Sequence, residues 1–287
     1  MNIMKFRPLF LIISSILLIS SLLSIVFWGF KPSIDFIGGA TWEFNLSSNP
    51  DNSKIEEIFS KNNISNLVII NDGIKYNLSF QDIDNDQKDT LNQAIKTLDP
   101  NYTELKFESL GPTLGKELLQ KTVVAIVLSS IFLLLFIGSR FKDLTFGTSA
   151  VLAMFHDTFI LVGSFSILGH FFGSELDSLF VTALLTTLSS SVHDTVVTFN
   201  RMRELKHQNF NISWVDLANQ AVTETLSRSI NNSMTIILML LSLVVIGGST
   251  TKWFATALLI GVICGTYSST GVAIPLVLFF KKHFKKK

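Results

Sequence analysis

Charged residues are scarce in this chain: they make up 16% of 287 residues, against 48% hydrophobic residues that include 25 phenylalanines. An ordinary soluble domain carries about a quarter charged residues, so that class is excluded. Cysteine is nearly absent too. Cys264 stands alone, which rules out a disulfide within the chain and a cysteine metal site. The histidines, at 156, 170, 193, 207 and 283, show no HExxH or comparable ligand spacing, which argues against a metal enzyme. No nucleophile–base constellation is present: His156 and Asp157 are neighbours on one helix, and no serine is spaced to complete a triad. The chain reads as no enzyme and as needing no cofactor.

The apolar residues are grouped. Uncharged runs cover 8–30, 122–139, 144–156, 178–192, 229–251 and 253–280. A helix needs about 20 residues to cross a bilayer, and the runs from 144 and 178 reach that length only through Asp157 and Asp194. The pattern predicts six transmembrane helices. The first run is longer than the core of a secretion signal and has no small-x-small pattern before "WGFKPSIDF", so it reads as a permanent anchor. With Lys5 and Arg7 inside, alternation puts Arg140 and Lys142, then Arg201, Arg203 and Lys206, then Lys281, Lys282 and Lys285–Lys287 on the same side. The short outer loops 170–176 and 247–252 add only Lys252. This positive-inside pattern predicts cytoplasmic termini. It makes the terminal "KKHFKKK" a topology anchor at the lipid surface rather than a nucleic-acid patch.

The expected division is an anchor over 1–30, an outer α+β domain over 31–118, a five-helix bundle over 119–280 and a basic tail over 281–287. Residues 31–118 hold 14 acidic and 8 basic residues, a net of −6, while the rest of the chain carries 8 acidic and 15 basic, a net of +7. Within the outer domain the pattern predicts strands at 40–46, 66–71, 74–80 and 103–109 and helices at 51–62 and 86–98. "NDG" between the middle strands is a hairpin signal. The order βαββαβ is that of a ferredoxin-like unit.

Two motifs are decoys. "LGPTLGKEL" at 110–118 has three residues between Gly111 and Gly115 and Glu117 after Lys116, so it is no phosphate loop. "DIDND" at 82–86 would need a glycine where Gln87 stands and a glutamate at Gln93 to bind calcium, and reads as a loop leading into a capped helix.

The informative residues are polar ones in apolar runs. "SSSVHDTVVTF" (189–199) repeats the His-Asp-Thr of "MFHDTFILV" 37 residues earlier. A carboxylate in a bilayer costs at least roughly 2.5–3.5 kcal/mol, so Asp157 and Asp194 are expected to face the helix bundle. Thr187, Ser190, Ser191, Thr198 and Arg201 share a helical stripe with Asp194. The next helix should start at Ser213, an N-cap with Asp216 three residues on, and carry Glu224, Arg228, Asn231, Asn232 and Thr235 on one stripe. Arg228 is then within reach of Asp194. His193, adjacent in sequence, points about 100° away. The hydroxyls and amides read as helix glue, and Asp194 as a group that takes up and releases protons.

"FIGGATWEF" (36–44), "ESLGPTLGKEL" (108–118), "HDTVVTFNRMRE" (193–204), "TETLSRSI" (223–230) and "GTYSSTGVAIPL" (265–276) resemble, in that order, signature segments of the SecF family. The likeness runs from about residue 5 to 282 and agrees with six spans and a first outer loop. It implies a proton-driven subunit of bacterial protein export, related to the RND transporters, in the cytoplasmic (inner) membrane. The implied partners are SecD, the SecYEG channel, indirectly SecA, and unfolded exported chains. By this resemblance Asp194 matches the proton-carrying aspartate of the fourth span, Arg228 its arginine partner in the fifth, and Asp157 the His-Asp of the third. The chain departs from the family in carrying His193 where an asparagine is usual and Asn200 where an aspartate precedes Arg201. Two rival expectations stand beside this one: a purely structural translocase subunit, and half of a solute or lipid exporter.

Overall fold

The computed structural model describes residues 2–47, 50–141 and 143–284, without the side chains of Asp72, Ser249, Thr250 and Phe284. Lys142 and Lys285–Lys287, counted above for topology, lie outside the described residues. The chain forms two units, Pro32–Val124 and a helical bundle made of Met1–Lys31 and Ala125–Lys287.

The smaller unit opens with one helical turn, α2 (Ile34–Ile37), capped by Ser33 Oγ, which accepts from the Asp35 amide at 3.2 Å. Then follow β1 (Gly39–Asn45), α3 (Asn52–Lys61), β2 (Val68–Asp72), β3 (Lys75–Phe80), α4 (Asn85–Leu98) and β4 (Thr103–Leu110). The strands form one antiparallel sheet in the order β2-β3-β1-β4. Alternation makes one face of it apolar: Trp42, Phe44, Tyr76 and Leu78 are fully buried, together with Ile55 and Phe59 of α3 and Leu91 and Ile95 of α4. The β2–β3 hairpin turns on Gly73 and Ile74, with Asn71 and Asp72 still in the strand. Gly73, at φ +69°, supplies the left-handed backbone that such a tight turn requires. The "DIDND" stretch ends as a helix cap: Asp84 accepts from the Gln87 amide at 2.8 Å and Gln87 returns to the Asp84 amide.

The bundle begins with α1 (Arg7–Trp28), after a 3-10 turn at Ile3–Phe6, and continues with α5 (Pro112–Arg140), α6 (Leu144–Phe172), α7 (Ser178–Gln208), α8 (Trp214–Ile246) and α9 (Ser249–Ser268). A π-helical turn, Ser269–Ala273, joins α9 to α10 (Ile274–Phe284). Asp143, Asp177 and Ser213 cap α6, α7 and α8 through their side chains, as short polar residues do at helix starts. Among the described residues, five helices are long and apolar enough to cross a membrane: Ile3–Trp28, Pro112–Arg140, Leu144–Phe172, Trp214–Ile246 and Thr251–His283. The 31-residue α7 is as long as the others but falls short in apolar character. His193, Asp194, Arg201, Arg203 and Glu204 and its many hydroxyls are the reason.

Small residues let these helices approach closely. A Cβ at Gly261 of α9 would meet Thr187 Cγ2 of α7 at 1.9 Å, and one at Gly163 of α6 would meet Ser21 Cβ of α1 at 2.2 Å. Serines then bond across the α1–α6 seam: Ser24 Oγ donates to the Gly163 carbonyl at 2.9 Å and Ser166 Oγ to that of Ser24 at 2.8 Å. The π turn has a local cause. Pro275 has no N–H to donate to the Gly271 carbonyl, and its ring crowds that carbonyl, so the helix widens just before it.

Candidate functional site

Both carboxylates found in the apolar runs lie around α7. Asp194 is half-buried on α7, and its Oδ2 accepts a 2.8 Å hydrogen bond from Ser229 Oγ of α8. One cavity of about 180 Å³ brings Asp194 together with His193, Thr198, Arg228, Ser229 and Asn232. A second, of about 570 Å³, is lined by Asp194, Ser190, His193, Asn232, Ser233 and Thr266 among others. Thr198 is buried, its hydroxyl 3.3 Å from that of Thr225 on α8. Ser190, His193, Thr198 and Asn232 thus line polar cavities between α7, α8 and α9, whereas Asn231 lines neither and is exposed.

Arg228 shares the smaller cavity with Asp194, but no ion pair joins them among the described residues. Arg201, lower on the same stripe, is taken by Glu204 at 2.9 Å and by Glu224 of α8. Asp194 thus has one hydroxyl donor and an open, polar approach.

Asp157 is held differently. It is 5% exposed on α6, and its Oδ2 accepts from Ser191 of α7 and Ser268 of α9, both at 2.5 Å. Its Oδ1 lies 2.9 Å from His156 Nδ1. Three helices meet at this carboxylate, next to the π turn, and Ser268 is fully buried. Ser268 and Ser229 had no singular signal in the sequence, because hydroxyls are common in this chain; only the pairing across helices marks them.

A family model described as "Protein export membrane protein SecD/SecF, C-terminal" matches residues 90–283. Protein translocase subunit SecF of Thermobaculum terrenum is 35% identical over 99% of this chain and 95% of its own length. The chain belongs to the SecF family. A second SecF, from Sebaldella termitidis, is 34% identical over the whole chain and 93% of its own. The crystal structure of SecDF, a translocon-associated membrane protein from Thermus thermophilus, superposes with a TM-score of 0.87 at 28% identity. That match covers 98% of this chain and 39% of the SecDF chain, so this SecF-family chain spans well under half of the larger protein. Membership makes it a membrane protein of protein transport.

Proposed function

We propose that this chain is the proton-coupled half of a translocase accessory complex, in which protonation and deprotonation of Asp194 drive helix rearrangement. The observation that carries this reading is a half-buried carboxylate lining two polar cavities beside a largely apolar bundle core. A change of charge there alters which helix packing is preferred. Arg228, in the same cavity and free of a permanent ion pair with Asp194, modulates the change. Asp157 is the second intramembrane carboxylate, and no chemistry of an enzyme or a cofactor is required.

The layout that goes with this reading has six spans, α7 being the fourth, and cytoplasmic termini in a bacterial inner membrane. The length of α7 and its close packing on α9 support that count. The sheet order β2-β3-β1-β4 supports a ferredoxin-like outer domain. A six-helix unit is half of a pseudo-symmetric transporter, which makes SecD the partner, beside SecYEG and SecA, with unfolded exported chains as clients. The likeness to one part of a longer SecDF chain supports the pairing.

Asp157, fully bonded to serines of two other helices, favours a second reading in which the chain only assembles the translocase. One experiment separates the two: gradient-driven export of a reporter precursor, with SecD present and membrane levels matched. Under the first reading Asp194→Asn lowers export to the level without the complex. Unchanged export would leave the scaffold reading standing.

A further inference from the structure

An open groove of about 610 Å³ runs between α5 and α7. Ile126 and Ile137 anchor α5 to the apolar cores, and the groove opens between those two points. Apolar side chains form most of its walls: Phe132, Leu133 and Phe136 from α5, and Leu185, Val192 and Val196 from α7. Ser189 and His193 belong both to this groove and to a cavity beside Asp194.

Each wall ends at an arginine. Arg140 follows Phe136 by four residues and Arg203 follows Val196 by seven, so each lies on the face of its helix that lines the groove. Arg203 Nη1 donates to the Arg140 carbonyl at 3.5 Å, which brings the two residues together at one end. Neither guanidinium has a carboxylate partner among the described residues. The nearest carboxylates in sequence are taken, Glu204 by Arg201 and Asp143 by Lys281. Lys206 is occupied as well, donating to the carbonyls of Phe210 and Ile212.

Paired guanidiniums without a counter-ion make a phosphate-binding arrangement. From Leu185 to Val196 the groove follows about 16 Å of helix, roughly one leaflet of a hydrocarbon core about 30 Å thick. Spread over that length, its volume gives a cross-section of about 40 Å², half that of a helix about 10 Å across. An acyl chain fits the groove and a protein helix does not.

We propose that the groove between α5 and α7 binds an anionic phospholipid, with an acyl chain along its apolar walls and the phosphate held by Arg140 and Arg203. Basic residues at the inner ends of neighbouring spans recognise acidic headgroups in this way. The site rests on the layout proposed above, in which α7 is a span, and is independent of the coupling role of Asp194.

The test is photolysis of a phosphatidylglycerol carrying a diazirine in its acyl chain, in vesicles that hold the full chain together with SecD. Mass spectrometry of the cross-linked peptides should find label on 129–136 and 185–196. Unlabelled phosphatidylglycerol should displace it there better than phosphatidylcholine with the same chains, by roughly tenfold or more, while label on α1 shows no headgroup preference. Arg140→Gln combined with Arg203→Gln should abolish the preference. Equal displacement by the two lipids in the wild type overturns the proposal and needs no variant to fold. Groove label that appears only when SecD is left out overturns it too, by making the groove the seat of a partner. Label on α5 with none anywhere on α7 would remove α7 as a span, and the layout would fall together with the site.

Discussion

Ser191 and Ser268 each bring a hydroxyl to 2.5 Å from the same oxygen of Asp157. A hydrogen bond to a charged group contributes about 1.5–3 kcal/mol, so either serine replaced by alanine should lower bundle stability by about that amount. The two losses should not add, because both donors serve one oxygen; a double-mutant cycle by thermal unfolding in detergent reads this out, and strict additivity would refute the shared node. At the start of α6, Asp143 is subject to opposing influences. Burial raises its carboxyl, but hydrogen bonds from Lys281 and Thr145 outweigh that and hold it below the usual carboxylate range. A depressed carboxyl contributes stability above its unfolded pKa and loses it as pH falls through the folded value. The unfolding temperature should therefore drop on acidification in the wild type and drop less in Asp143→Asn. Asp157 and Asp194 were legible as residues, since a charge stands out in an apolar run. Their different environments were not, because one depends on α6 meeting α9 and the other on α8 leaving a cavity.

The approach of α7 to α9 depends on a glycine. A Cβ at Gly261 would sit 1.9 Å from Thr187 Cγ2, inside a packed seam. Gly261→Ala should cost about 1–3 kcal/mol by overpacking, and Thr187→Ser, which removes the nearest methyl but leaves Cβ at 2.6 Å, should recover only part of it. Equal stability of Gly261→Ala and wild type would show that the seam is looser than described. At this scale the sequence was informative about periodic elements. The strands expected at 40–46, 66–71, 74–80 and 103–109 are found at Gly39–Asn45, Val68–Asp72, Lys75–Phe80 and Thr103–Leu110. The helix expected from Ser213 does start there, with Ser213 Oγ accepting from the Asp216 amide at 3.1 Å. The π turn had no periodic signal. It arises where the helix accommodates Pro275 while Ser268 is held by a carboxylate on another helix.

The two units of the molecule have separate cores. Trp42 is fully buried against Phe44, Tyr102 and Phe107, so Trp42→Ala should cost the smaller unit about 3–5 kcal/mol. The near-ultraviolet signal of that unit should be lost while bundle helicity stays. The six-span layout has its own test in a Cys264→Ser background, with single cysteines at Glu175 and Asn209, on either side of α7. A membrane-impermeant thiol reagent should reach them from opposite faces of the vesicle; labelling from one face would remove α7 as a span. By itself the sequence determined the apolar helices, the strand order along the chain and the two aspartates set in apolar runs, because hydropathy, period and charge are local properties. Only the tertiary structure decided that Asp157 is bonded across three helices, that Asp194 opens to polar cavities, that Arg228 leaves it unpaired and that α2 and the π turn exist. Each of those depends on which side chains from distant segments compete for the same buried space and hydrogen bonds.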